Sequence, residues 1–268
     1  VDIASVGPGT WNSWKARLLH ELYDKAAAVF DGAGLPTVDV SEALEALVAR
    51  GIDRSRAERF LARMPRRWFA FADPTDAPRA MRLLESGSRR GLATALRDAD
   101  EVSTISITAA DRPGLLADIA GTLTAHRIDI LRADVFSTTD GRALDVFVVR
   151  GPHGGRVERG RWRAARADLA RVLRGALDVE ALLAARRSAP GLPPRHVPPV
   201  ATKVRLDNRS ARDFTVVDVF AEDRRGLLHA ITAALHRAQL TIAVARIATE
   251  GNRAIDSFYV CDAGGGKL

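Results

Sequence analysis

Apolar and polar positions along this chain change their period near residue 92. Before that point apolar residues recur every three or four positions, which predicts helices. Trp11, Trp14, Leu18, Leu19, Leu22 and Tyr23 form one stripe, opened by Thr10 as an N-cap and stopped by Gly32 and Gly34. Ser41 is placed to cap a second helix that turns Leu44, Leu47 and Val48 inward and ends at Gly51. Asp53 or Ser55 caps a third, carrying Ala57, Phe60 and Leu61 and closed by Met64-Pro65. A fourth starts after Pro74, runs to Leu84 and ends before Gly87.

From residue 92 onward the alternation is two-fold. Leu92 to Arg97 and Val102 to Ala110 read as the strands of a hairpin. Asp111 to Gly114 is a turn, after which Leu115, Leu116, Ile119, Ala120 and Leu123 share one helical face. Ile128 to Thr138 and Ala143 to Val149 read as strands joined at Thr139-Asp140-Gly141. A helix rich in Arg, Ala and Leu follows over 157–177, and five prolines in 188–199 mark a linker.

The pattern then repeats. Asp111-Arg112-Pro113-Gly114-Leu115-Leu116 matches Asp223-Arg224-Arg225-Gly226-Leu227-Leu228, and Arg142-Ala143-Leu144-Asp145 with Phe147 matches Arg253-Ala254-Ile255-Asp256 with Phe258. Upstream, Ala93-Thr94 to Arg97 echoes Ala201-Thr202 to Arg205. The unit is strand, strand, helix, strand, strand, helix. Its second copy stops after the fourth strand, and the chain starts at Val1 without an initiator Met, so it reads as a fragment whose second module is incomplete. The class is α+β: a helical segment over 1–88, a module over 89–187, the linker 188–199 and a truncated module over 200–268.

The recurring Asp-Arg-x-Gly-Leu-Leu turn is the candidate chemistry. Its residues are Asp111, Arg112, Gly114 and Leu115 in the first copy, and Asp223, Arg224, Gly226 and Leu227 in the second. Glycine lets the backbone turn sharply and lets a ligand approach without a Cβ in the way. The next helix presents unpaired N–H groups and a positive dipole end, which suit a carboxylate. An Asp at the strand end suits an ammonium, so together the groups fit a zwitterionic amino acid. The plainer reading is that Asp caps the helix and Gly only makes the turn. Arg225, where the first copy has Pro113, loses the preset φ of proline and sets a positive charge against the helix dipole. Either the first site is the better formed, or Arg225 helps bind a ligand carboxylate. His126 and His236 lie near the ends of matching helices, where a surface or capping role is usual.

Composition narrows the class. Of 268 residues 47% are hydrophobic and 27% charged, which excludes general disorder and suggests about two domains. One cysteine, Cys261, excludes a disulfide framework. No apolar run approaches a bilayer span and no signal peptide heads the chain, so a soluble cytoplasmic protein without a membrane partner is expected. Net charge +7, with only four Lys among 40 basic residues, invites a nucleic-acid reading. The Arg pairs Arg66-Arg67, Arg89-Arg90, Arg186-Arg187 and Arg224-Arg225 are scattered, however, and aromatics are only 6%, too few for stacking platforms. A solvated basic surface is expected, with no nucleic-acid partner.

The segments "DRPGLLADIAGTLTAHRIDILRADVFST" and "EDRRGLLHAITAALHRAQLTIAVARIAT" resemble ACT domains, small βαββαβ amino-acid-binding modules of ferredoxin-like fold. The extra strand ahead of each copy departs from that pattern and can stand in for the family's last strand. "GPGTWNSWKARLLHELY" resembles the stretch that follows the HD domain in PII uridylyltransferase/uridylyl-removing enzymes, where VWNxWKxxLLxxLY is typical. The resemblance implies that 1–88 holds the end of an HD domain and a connector, and that glutamine is the effector. It also implies a parent enzyme that adds UMP to the PII signal protein and removes it. Its Mg²⁺-dependent nucleotidyltransferase and HD domains would lie outside this chain, which itself would carry no cofactor and no catalytic residue. None of the six His is followed by Asp, as an HD metal site requires. Gly87-Ser88 with Asp98-Ala99-Asp100 mimics a nucleotidyltransferase motif, but the repeat aligns that stretch with a plain polar loop. Pairing between ACT modules, within or between chains, is a further expectation. The competing reading is a stand-alone tandem-ACT regulator.

Overall fold

The computed structural model describes residues 40–99, 101–186, 201–250 and 253–268. The Trp11–Tyr23 stripe and the proline-rich linker lie outside them. A helical block comes first: α1 (Ser41–Val48), α2 (Arg54–Leu61), α3 (Arg66–Phe71) and α4 (Ala77–Arg90). The first repeat is β1 (Ala93–Ala99), β2 (Val102–Ala110), α5 (Leu115–Ala125), β3 (Asp129–Ser137), β4 (Arg142–Arg150), α6 (Arg159–Leu173) and α7 (Val179–Ala185). The second is β5 (Lys203–Asp207), β6 (Thr215–Glu222), α8 (Leu227–Arg237), β7 (Thr241–Glu250) and β8 (Arg253–Cys261).

Among the described residues the strands form one antiparallel sheet in the order β1-β2-β4-β3-β7-β8-β6-β5. The extra strands β1 and β5 hold its two outer edges, each beside the strand that follows it. The copies join where β3 pairs with β7, so the expected module pairing occurs within the chain. Asp134 lies opposite Arg246 in that pairing, and both hold the same place in the repeat (246 − 134 equals 223 − 111). The joint therefore has an approximate twofold axis through this pair.

One hydrophobic core spans both copies. Ile105, Phe147 and Val149 of the first share it with Val217, Phe258 and Val260 of the second, under α5, α6 and α8. Each fully buried large side chain of this kind contributes about 1.5–3 kcal/mol. Helices α5 and α8 pack side by side. His229 of α8 reaches the carbonyl of Ala117 (2.9 Å) and Glu180 Oε1 on α7 (3.0 Å). Gly121 makes this approach feasible, because a Cβ there would lie 2.8 Å from His229 Nδ1 and 2.6 Å from Val179. On the other side of the first copy's sheet, Phe136 and Leu144 face each other in register and pack with Trp68, Met81 and Leu84 of the helical block.

Several expectations change. Ser41 begins α1 instead of preceding it, whereas Asp53 caps α2, accepting from the Arg56 N–H at 3.0 Å. Helix α4 runs through Gly87 to Arg90. Gly87 is needed there for packing, since a Cβ would meet Thr108 of β2 at 2.5 Å. The helix expected over 157–177 is α6 and ends at Leu173; Gly175 at φ +70 then turns the chain, and Asp178 caps a separate helix, α7. The edge strands align two residues away from the sequence match: Leu96 lies opposite Ile105, and Leu206 opposite its counterpart Val217. His126 is not on the surface. It is buried, with Nε2 at 3.0 Å from Asp168 Oδ2 and Nδ1 at 2.9 Å from Arg186, and burial with the Arg186 charge lowers its pKa. Asp98 is spent on Ser103 Oγ (2.7 Å) and Arg159 (2.9 Å), and Gly87-Ser88 is helical, so the nucleotidyltransferase-like spacing is structural. Many Arg pair with nearby carboxylates, as Arg56 does with Glu85 and Arg63 with Asp140.

Candidate functional site

The first turn leaves β2 at Asp111, whose N–H donates to the Gly141 carbonyl at 2.9 Å. That bond ties the turn to the β3–β4 hairpin. Gly114 then sits at φ +80 as the N-cap of α5, a left-handed position that strains any residue with a Cβ. No side chain caps α5, so Asp111 does not play the capping role allowed by the plainer reading of the sequence. The Leu115 N–H donates to the Arg112 carbonyl at 3.2 Å, which leaves the next N–H groups, of Leu116 and Ala117, available. Arg112 turns along the helix to pair with Asp118, and Leu115 is buried in the common core. Facing the turn is the last part of α8, where a Cβ on Gly114 would lie 3.1 Å from His236 Nε2.

Between turn and helix lies a cavity of about 40 Å³, lined among others by Asp111, Gly114, Asp145, His236 and Ile242. That is room for about three waters at ~10–15 Å³ each. An amino acid enters only if the turn and His236 move apart. Sequence reasoning missed the floor of this cavity. Asp145 stands on β4 in line with Ala143 and Phe147, on the core side, and is 1% exposed. The backbone N–H of Phe136 serves one side of its carboxyl, while Oδ1 has no partner. Burial, and next the nearby Asp111 charge, push its pKa well above the usual carboxylate range. The signal was present in the sequence: one Asp interrupts an apolar strand in both copies, at Asp145 and Asp256.

The second turn repeats this geometry at the other end of the helix pair. Gly226 is at φ +81, and α8 has no side-chain cap. Thr124 of α5 faces it, with a would-be Cβ contact at 3.1 Å. Asp223 and Arg224 lie on this turn, and Leu227 anchors it in the core. Here the residues around the turn differ. Arg225 Nε lies 3.2 Å from Asp129 Oδ1 of β3, and Arg150 lies 3.6 Å from the same carboxyl. Burial raises the pKa of Asp223. Asp256, also 1% exposed, keeps an unpartnered Oδ1, and burial pushes its pKa up to about 7. No cluster of three or more His, Cys, Asp or Glu side chains able to hold a metal occurs among the described residues. None of their helices is long and apolar enough to cross a membrane.

Two ferredoxin-like modules joined edge to edge, each with a glycine turn set against its neighbour's helix, define a tandem ACT arrangement, and the ACT domain family matches residues 103–159. Along its whole length the chain is 37% identical to the bifunctional uridylyltransferase/uridylyl-removing enzyme of Rhodospirillum rubrum and 36% identical to that of Azospirillum brasilense. It spans 30% of the length of each. The chain belongs to the ACT-bearing part of the bifunctional uridylyltransferase/uridylyl-removing enzyme family.

Proposed function

We propose that this chain is the glutamine-sensing region of an enzyme that uridylylates and deuridylylates the PII signal protein in the cytoplasm. One observation carries the reading: the first ACT turn opens onto a cavity between the modules, with an uncapped helix N-terminus on one side and carboxyls on the other. The α-carboxylate of glutamine would take the free N–H groups of α5, and its ammonium a carboxyl lining the cavity. Widening the cavity separates His236 from the turn, which changes how α8 packs on α5. The opposite face of the same sheet carries the helical block, so the packing change reaches the elements that precede the modules. Glutamine then shifts two packings by its differential affinity for them. UMP transfer, its Mg²⁺ and UMP removal belong to other regions of the full-length enzyme. A free-standing regulator is less favoured, because the likeness to these enzymes extends through residues outside the ACT modules. Calorimetric titration of the folded chain with L-glutamine should give saturable heat; absence of binding at millimolar ligand overturns the reading.

A further inference from the structure

Asp145 is costly as it stands. A buried polar atom without a partner destabilises the fold, and more so when charged. A fold that keeps such a group against a cavity, beside an uncapped helix N-terminus, has placed it where a ligand can complete it. In its ionised form Oδ1 can only accept, and the Phe136 N–H already serves the other side, so the partner that completes the carboxylate is a donor.

We propose that Asp145 is the carboxyl that receives the ammonium of the amino-acid effector, and that binding drives its proton into solvent. This rests on the amino-acid reading of the first turn and adds the residue and the proton balance. Empty, burial favours the protonated form of the carboxyl. An ammonium entering beside it stabilises the anion, so the carboxylic acid and the ammonium become an ion pair and one H⁺ leaves. No bond to carbon changes. The other ionisable groups lining this cavity are Asp111 and Arg112 on the turn and His236 on α8. Arg112 is held by Asp118, and Asp111 is exposed to water at the mouth. His236 is the other group able to release a proton, and the test separates it.

The folded chain is titrated with L-glutamine between pH 6 and 8 in phosphate and in Tris, whose ionisation heats differ. Heats that diverge between the buffers, by up to one proton per site, are expected. Glutaramate, which is glutamine without its amino group, should bind at least ~10-fold more weakly and release no proton, the usual consequence of losing a charged hydrogen bond. Asp145→Asn keeps an acceptor for the Phe136 N–H and should weaken glutamine by about 10- to 100-fold and abolish the buffer difference. Buffer-independent heats for the native chain, or proton release that survives Asp145→Asn and so comes from His236, overturn the proposal while glutamine binding stands. Glutaramate binding as well as glutamine also overturns it. If glutamine fails to bind the native chain at all, the amino-acid reading falls and takes this one with it. Should Asp145→Asn unfold, the buffer comparison on the native chain and the glutaramate arm still decide.

Discussion

The two ACT copies share strand order, turn geometry and a buried Asp, yet several residues that face the turn differ. In the first copy the turn carries Pro113 and faces His236 across a cavity. In the second, Arg225 and Arg150 clamp Asp129 beside the turn. The sheet differs too. The helical block and α6 cover the two faces of the first copy, burying Thr108 under Gly87 and packing Leu96 into the core. At the matching places in the second copy Phe220 is exposed, and Val204 and Leu206 are 62% and 65% exposed. Duplication gave both copies the same frame. The residues around each turn set what that turn faces.

The comparison can be broken at the core. Phe147 and Phe258 are equivalent and fully buried, and Phe→Ala at either should cost about 3–5 kcal/mol. Because they share one core, chemical denaturation of either variant should show a single transition at lower denaturant. Two separate transitions would mean that the copies fold independently.

Next in size is the second copy's buried carboxyl. Asp256 binds its proton more tightly folded than unfolded, so stability should fall as pH rises from about 4 to about 7 and level off above. The loss is on the order of 4 kcal/mol for a rise from 3.8 to about 7, at ~1.4 kcal/mol per tenfold change in proton affinity. Asp256→Asn should flatten that slope in thermal melts across this range.

A smaller effect separates the two glycine turns. Gly114→Ala and Gly226→Ala should each cost about 1–2 kcal/mol from their positive φ. Gly114→Ala also presses on His236, so it should weaken glutamine binding more than Gly226→Ala does in parallel titrations. The smallest stability change is expected for Arg225→Pro, which gives the second turn the first turn's residue. Its ion pair with Asp129 is largely solvated and worth at most ~1 kcal/mol. A gain of a second glutamine site by stoichiometry would show that Arg225 keeps the second turn shut.

Much of this organisation was legible in the residues. Strand alternation and the Gly-Leu-Leu turns repeat at fixed spacing, and both properties are local. What was not legible depends on packing at a distance. Gly87 reads as a helix stop, yet it continues α4 because Thr108 leaves no room for a side chain. His126 reads as a surface cap, yet α6 and α7 bring Asp168 and Arg186 over it. Asp111 was read as a candidate from its turn alone, and it lines the cavity. Asp145 was not, because an Asp in an apolar strand declares its role only when the strand's facing layer is known. The edge-strand match slipped by two residues because hairpins of different length join β1 to β2 and β5 to β6.

The Asp134–Arg246 pair at the joint bears on how the chain tells itself from its neighbours. On a true twofold axis a residue meets its own copy. A first module pairing through β3 with the same module of another molecule would set Asp134 against Asp134, and second modules meeting through β7 would set Arg246 against Arg246. Like charges directly opposite on neighbouring strands repel. Since the duplicated strands diverged to opposite signs at this position, the union within one molecule is the attractive one. The chain thereby carries its own dimer partner and discriminates against identical strangers at the same edge.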